Sequence, residues 1–114
     1  MFSRVLSSSV LGIDAYIVQV EAHIESGLPA WATVGLPEGA VKESKERVSA
    51  AIKNSGFRLP PKRITVNLAP ADVKKEGPAF DIAIALGYLL ADEKINFDPK
   101  GKLFLGELSL DGSL

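Results

Sequence analysis

Cysteine is missing from these 114 residues, histidine and tryptophan occur once each, and no apolar run is long enough to span a bilayer. Without cysteine there are no disulfides and no thiolate metal ligands, which fits a reducing compartment. A metal centre needs clustered His, Cys, Asp or Glu. The lone imidazole, His23, stands in the polar register of a strand near Glu21 and Glu25 and reads as a surface residue, so no metal site is predicted. No GxxxxGK followed by Ser or Thr is present, so nothing here forms the P-loop that cradles a nucleotide's phosphates. The first twenty residues alternate apolar and polar and do not build the apolar core of a secretory signal. A cytoplasmic protein with no membrane partner is expected.

What is present is one domain's worth of chain, residues 1–114, with 46% apolar residues, enough for a single core. The net charge is only −1, but its distribution is uneven. Between Val41 and Lys75 nine Lys and Arg face three acids, Glu43, Glu46 and Asp72, whereas the remainder carries four basic and eleven acidic residues. Such a run makes either a cationic surface or an ordinary solvated face.

In chain order, Phe2 to Ile13 reads as a strand running into a Gly-Ile-Asp turn. Ala15 to Ser26 alternates cleanly, with Tyr16, Val18, Val20, Ala22 and Ile24 on one side and Ile17, Gln19, Glu21, His23 and Glu25 on the other. Gly27-Leu28-Pro29 turns the chain into a short strand, Ala30 to Leu36, holding Trp31. An antiparallel three-stranded meander is the simplest pairing of these pieces. Pro37 to Asn54 is an amphipathic helix capped by Gly56. Its apolar seam is Val41, Val48 and Ile52, flanked by Ser44, Ala51 and Ser55. Lys42, Lys45, Ser49 and Lys53 share a neighbouring face with Glu46, and Glu43 is spaced to pair with Arg47. Pro60-Pro61 enforces a loop. Arg63 to Ala69 alternates again, Ile64, Val66 and Leu68 inward.

Asp72 to Ala91 is the stretch around which the rest is organised. It turns at Gly77-Pro78, then runs for thirteen residues with Asp81 as the only charge. Proline suits a first helical position, where its missing N–H would be unpaired anyway. Apolar residues fall all round this helix, and it is too short for the about 20 residues a bilayer requires, so it is a core helix. Ala79, Ala83 and Gly87 form a shallow strip for close approach. A polar loop follows, then Leu103 to Leu110 as a last strand and the turn Asp111-Gly112. With no returning strand after that turn, a longer parent chain is expected. The order β-β-β-α-β-α-β predicts a two-layer α+β sandwich.

Acyl chemistry at the head of the core helix would need a hydroxyl or thiol beside free N–H groups. The residue there is Ala79, whose methyl cannot attack a carbonyl, so no catalytic residue is assigned. The same helix start, Gly77, Pro78, Ala79 and Asp81, preceded by Lys74 and Lys75, either attracts an anion or carries solvated lysines offset by Glu76. Asp81 is suited to easing the helix dipole or to bonding a loop.

Three blocks, VGLPEGAVKESKERVSAAIKNSGF, ITVNLAPADVKKEGPAFDIAIALGYLLA and FLGELSLDGSL, resemble in order the N-terminal domain of the magnesium-chelatase-like AAA+ ATPases, the YifB/ComM family. The resemblance covers nearly the whole chain. It implies the fold of ribosomal protein S5 domain 2, shared with the Lon proteolytic domain and the RadA C-terminal domain. It also implies a downstream ATPase module that would supply the ATP and Mg sites, so no cofactor is expected in these residues, and a hexameric full protein. ComM-type members are linked to natural transformation as DNA helicases that promote branch migration. PADVKKEGPAFD is similar to the Lon stretch holding that family's serine nucleophile, and this serine falls on Ala79. The resemblance thus leaves three functions: a non-catalytic accessory domain for DNA engagement or subunit contacts, a Lon-like peptidase, or a partner in magnesium chelation. If DNA is held, Lys42, Lys45, Lys53, Arg58, Lys62, Arg63, Lys74 and Lys75 are the residues expected on its phosphates.

Overall fold

The computed structural model describes residues 1–11, 14–59, 61–70, 75 and 78–114. Four strands, β1 (Phe2–Leu11), β2 (Asp14–Glu25), β3 (Ala30–Val34) and β4 (Arg63–Ala69), form one sheet, and two helices, α1 (Glu38–Asn54) and α2 (Asp81–Ala91), lie on one of its faces. It is a two-layer α+β architecture. No helix among the described residues is long and apolar enough to cross a membrane.

The core follows from period-two strands meeting an all-round apolar helix. Val18, Val20, Ala22 and Ile24 of β2 and Ile64, Val66 and Leu68 of β4 are buried, and they meet Ala83, Ile84, Tyr88 and Leu89 of α2. Tyr16, in the same register, is exposed at the end of the sheet. α1 adds Val48, Ala51 and Ile52 from its apolar seam, while Val41 is only half-buried. Gly87 lets α2 settle onto β1 and β2: a Cβ there would already touch Val5 Cγ2 and Ala22 Cβ at 3.7 Å. Ser3 Oγ donates to the Gly87 carbonyl at 2.5 Å across this contact. Gly56, with φ +91°, ends α1 in the left-handed conformation that glycine adopts without strain.

The meander does not form. β1 and β2 are antiparallel neighbours, but the sheet order is β1-β2-β4-β3, with β4 antiparallel to β2 and parallel to β3. Strand alternation locates strands without choosing their partners. Parallel β3 and β4 need a crossover, and α1 supplies it. The longer β4, with three fully inward apolar residues, takes the inner position and leaves five-residue β3 at the edge.

The seventh element also differs. Residues 103–110 form no strand and, among the described residues, make one isolated bridge, Leu103 beside Leu6 of β1. Beyond Phe104, whose N–H donates to the Leu6 carbonyl at 2.9 Å, the segment leaves the sheet and turns to the head of α2. There Gly106 N–H donates to the Ala79 carbonyl at 2.8 Å and its carbonyl accepts from Ile82 N–H at 3.1 Å. Those bonds take the chain away from a sheet register. The Asp111-Gly112 turn does form, closed by Ser109 N–H on the Ser113 carbonyl at 2.8 Å.

Candidate nucleic-acid interface

The predicted phosphate-binding residues divide between three places. Lys42, Lys45 and Lys53 are exposed on the outer side of α1, and Arg58 is exposed in the segment after it. Lys45, Lys53 and Lys62 converge on an open groove of about 360 Å³ between α1 and edge strand β3, with Trp31 and Leu59 in its lining. Arg63 lies apart on the uncovered face of the sheet, where its Nε is 3.6 Å from Glu25 Oε1.

Lys75 is not on the surface. It is 3% exposed, and its Nζ donates to the Pro70 carbonyl at 2.5 Å. Burial of an ammonium is tolerated only with such a partner. Lys74 and Gly77, like Pro60 and the Gly12-Ile13 turn, lie outside the described residues.

The head of α2 is occupied by the protein's own groups. Pro78 to Phe80 form a short 3-10 turn leading into the helix, as the proline position predicts. Ile82 N–H, one of the donors an anion would use, already serves the Gly106 carbonyl. Asp81 does bond a loop: its Oδ2 accepts Leu108 N–H at 3.2 Å. The same carboxylate, 1% exposed, takes Arg47 Nε on Oδ2 at 2.6 Å, Arg47 Nη2 on Oδ1 at 3.1 Å and Ser44 Oγ on Oδ1 at 3.3 Å. Pairing with Asp81, and more weakly with Glu107 and Glu43, raises the Arg47 guanidinium above its ordinary value. The expected Glu43 contact is the looser one, at 3.9 Å. Ala79 is half-buried beside this knot and presents a methyl.

One wall of the groove is braced from beneath. Lys62 Nζ is 3.9 Å from Asp92 Oδ1, and Asp92 Oδ2 accepts the Tyr88 hydroxyl at 3.2 Å. Burial first, then the Asp92 charge, pushes the Tyr88 phenol up. The Tyr88 ring lies 6.0 Å from that of Trp31, whose Nε1 donates to Thr33 Oγ1 at 3.1 Å. On the far face of the sheet, His23 Nε2 is 3.5 Å from Glu25 Oε2 with both side chains half-exposed. Among the described residues no three metal-ligating side chains come together.

The Arg47–Asp81 knot, the burial of Lys75 and the Asp92 brace are absent from the sequence expectations. The first had a signal. A carboxylate in the first turn of an otherwise apolar helix needs a cation, and Arg47 sits one residue before buried Val48 and three after Ser44.

Fold and site together define a two-layer α+β domain with a cationic helix and an alanine, Ala79, at the head of its core helix. A family model described as the ChlI subunit of Mg-chelatase matches residues 20–114. The chain belongs to that magnesium-chelatase-like family, among its YifB/ComM members. It is 47% identical to the uncharacterized protein YifB of Escherichia coli K12, over 98% of this chain and 22% of that protein. It is 45% identical to the competence protein ComM of Haemophilus influenzae, over 96% of this chain and 22% of that one. An uncharacterized Mycobacterium tuberculosis protein, Rv2897c, is 46% identical over 96% of this chain and 22% of its own length. The chain therefore spans about a fifth of the length of the curated relatives it matches.

Proposed function

We propose that this chain is a non-catalytic accessory domain of a ComM-type, magnesium-chelatase-like ATPase, and that it engages DNA through the cations of α1 and the residues after it. The observation that carries this is the joint exposure of Lys42, Lys45, Lys53 and Arg58, with the methyl of Ala79 where a Lon-like serine would stand. The competence function in the name of one relative agrees with a DNA partner. In this account nucleotide hydrolysis and the Mg and ATP sites are not assigned to these 114 residues, which contain no P-loop, and subunit contacts remain a second role for the domain. A cytoplasmic setting follows from a DNA partner.

Filter binding of the chain to single- and double-stranded DNA over a salt series tests this. Phosphate contacts release counterions, so affinity falls steeply with salt. Binding that is absent or indifferent to salt contradicts the proposal. Peptide cleavage by the unsubstituted chain would instead support a Lon-like peptidase, with Ala79→Ser as the positive control. The family description favours a second reading, a partner in magnesium chelation. Stimulation of Mg insertion into a porphyrin by the parent protein, with no DNA binding, would carry that one.

A further inference from the structure

The cations singled out in the sequence are not equivalent: among the described residues, Lys45, Lys53 and Lys62 share a concavity. Lys45 and Lys53 project from α1 into the groove against β3, and Lys62 reaches it from the loop before β4. We propose that this groove is the seat of one nucleic-acid strand, held by phosphate contacts to Lys45, Lys53 and Lys62 with a base against Trp31. The inference rests on the DNA engagement proposed above and assigns its place and the form of nucleic acid.

Spacing, bracing and stacking support it. Eight residues of helix separate Lys45 from Lys53 by about 12 Å along the axis. That is roughly three to four nucleotides of a stacked strand. Lys62 stands on the other wall, so the two walls grip a backbone between them. Its ammonium is steadied by Asp92, a side chain 4% exposed and itself fixed by the Tyr88 hydroxyl. A cation held in position loses less freedom on binding than a free surface lysine. Trp31 and Leu59 give the lining an apolar patch of the kind on which bases stack without sequence preference. Glu46 is the one carboxylate among the described lining residues, and it offsets part of the groove's positive charge.

A stacking contact favours a single strand. Bases paired and stacked within a duplex present no free face to Trp31, whereas those of a single strand do.

Trp31 is the only tryptophan in the chain and so reports on the groove directly. Titrating the chain with a thymidine oligonucleotide at low salt is expected to quench its fluorescence. Lys45→Glu with Lys53→Glu is expected to weaken binding more than about tenfold, and to reduce the salt slope by about 1.4, the loss of two single-strand phosphate contacts. Lys100→Glu with Lys102→Glu, exposed lysines outside the groove, is expected to leave affinity and quenching within about twofold when compared at about 0.15 M salt, where the Debye length is about 8 Å. Circular dichroism of each variant separates lost binding from lost fold. DNA that binds without moving Trp31 fluorescence, or that survives the Lys45/Lys53 change, overturns the groove and leaves the proposed function standing. Duplex that quenches and competes equally overturns the strand preference. A chain that binds neither form at any salt overturns the proposed function together with this inference.

Discussion

Arg47 in α1 and Asp81 at the start of α2 grip one another through two hydrogen bonds, 2.6 and 3.1 Å long, across thirty-four residues of sequence. Because Asp81 also accepts Leu108 N–H and Ser44 Oγ, one carboxylate ties both helices to the C-terminal segment. Arg47→Ala strands a buried carboxylate and is expected to cost about 3–5 kcal/mol. Replacing both partners, Arg47→Met with Asp81→Leu, is expected to cost much less, because no unpaired charge remains. Urea unfolding of the two variants checks the ordering.

Gly35 marks a second constraint. Its φ is +102°, and a Cβ there would fall 2.4 Å from the Leu68 carbonyl oxygen. The strain and the clash act together, on backbone that cannot swing aside without disturbing β4. Gly35→Ala is expected to destabilise the fold by more than about 2 kcal/mol, read as a lower urea midpoint at unchanged slope.

Ser7 points the other way. Its hydroxyl is fully buried in β1, opposite Val18, and finds no hydrogen-bond partner among the described residues. An unsatisfied buried hydroxyl costs desolvation and returns nothing. Ser7→Ala is therefore expected to be neutral or to stabilise by up to about 1 kcal/mol, where most buried substitutions destabilise. A thermal melt that falls by several degrees would contradict this.

On the uncovered face of the sheet, hydrogen bonds from Arg4 first and Asn67 second hold the Glu21 carboxyl below its ordinary value of 4.5. A depressed folded value means that this contribution to stability is fully present above the ordinary value. It is lost as the pH falls through the folded one. Glu21→Gln is expected to lower stability slightly at neutral pH and to flatten the acid limb, as urea midpoints from about pH 6 to about pH 3 will show. With Arg4 half-exposed, the effect is small.

Much of the fold was legible because each local pattern had one physical outcome. Thirteen nearly uncharged residues behind Gly77-Pro78 can only be a buried helix, and α2 is that helix. The alternation in β2 and β4 exposed and buried the residues it predicted, Tyr16 apart. Pairing was not legible, since β3 carries no mark that it joins β4 and not β2. The last strand failed for a related reason: the apolar register of LFLGELSL shifts from Leu103 and Leu105 to Leu108 and Leu110 across Gly106, whose backbone N–H and carbonyl bond to the head of α2. Of the candidate site, the exposure of Lys42, Lys45 and Lys53 could be read from helical spacing. The convergence of Lys62 with two of them could not, because it depends on where the loop after α1 returns to the sheet.

The central claim is that the cationic side of α1 engages DNA. The most direct test is equilibrium DNA binding over a salt series by the unsubstituted chain and by a variant with Lys42→Glu, Lys45→Glu and Lys53→Glu. The account requires binding that weakens linearly in log salt and disappears in the variant, whose helix content stays unchanged. Binding that persists in the variant, or an unsubstituted chain that ignores DNA at low salt, would contradict it.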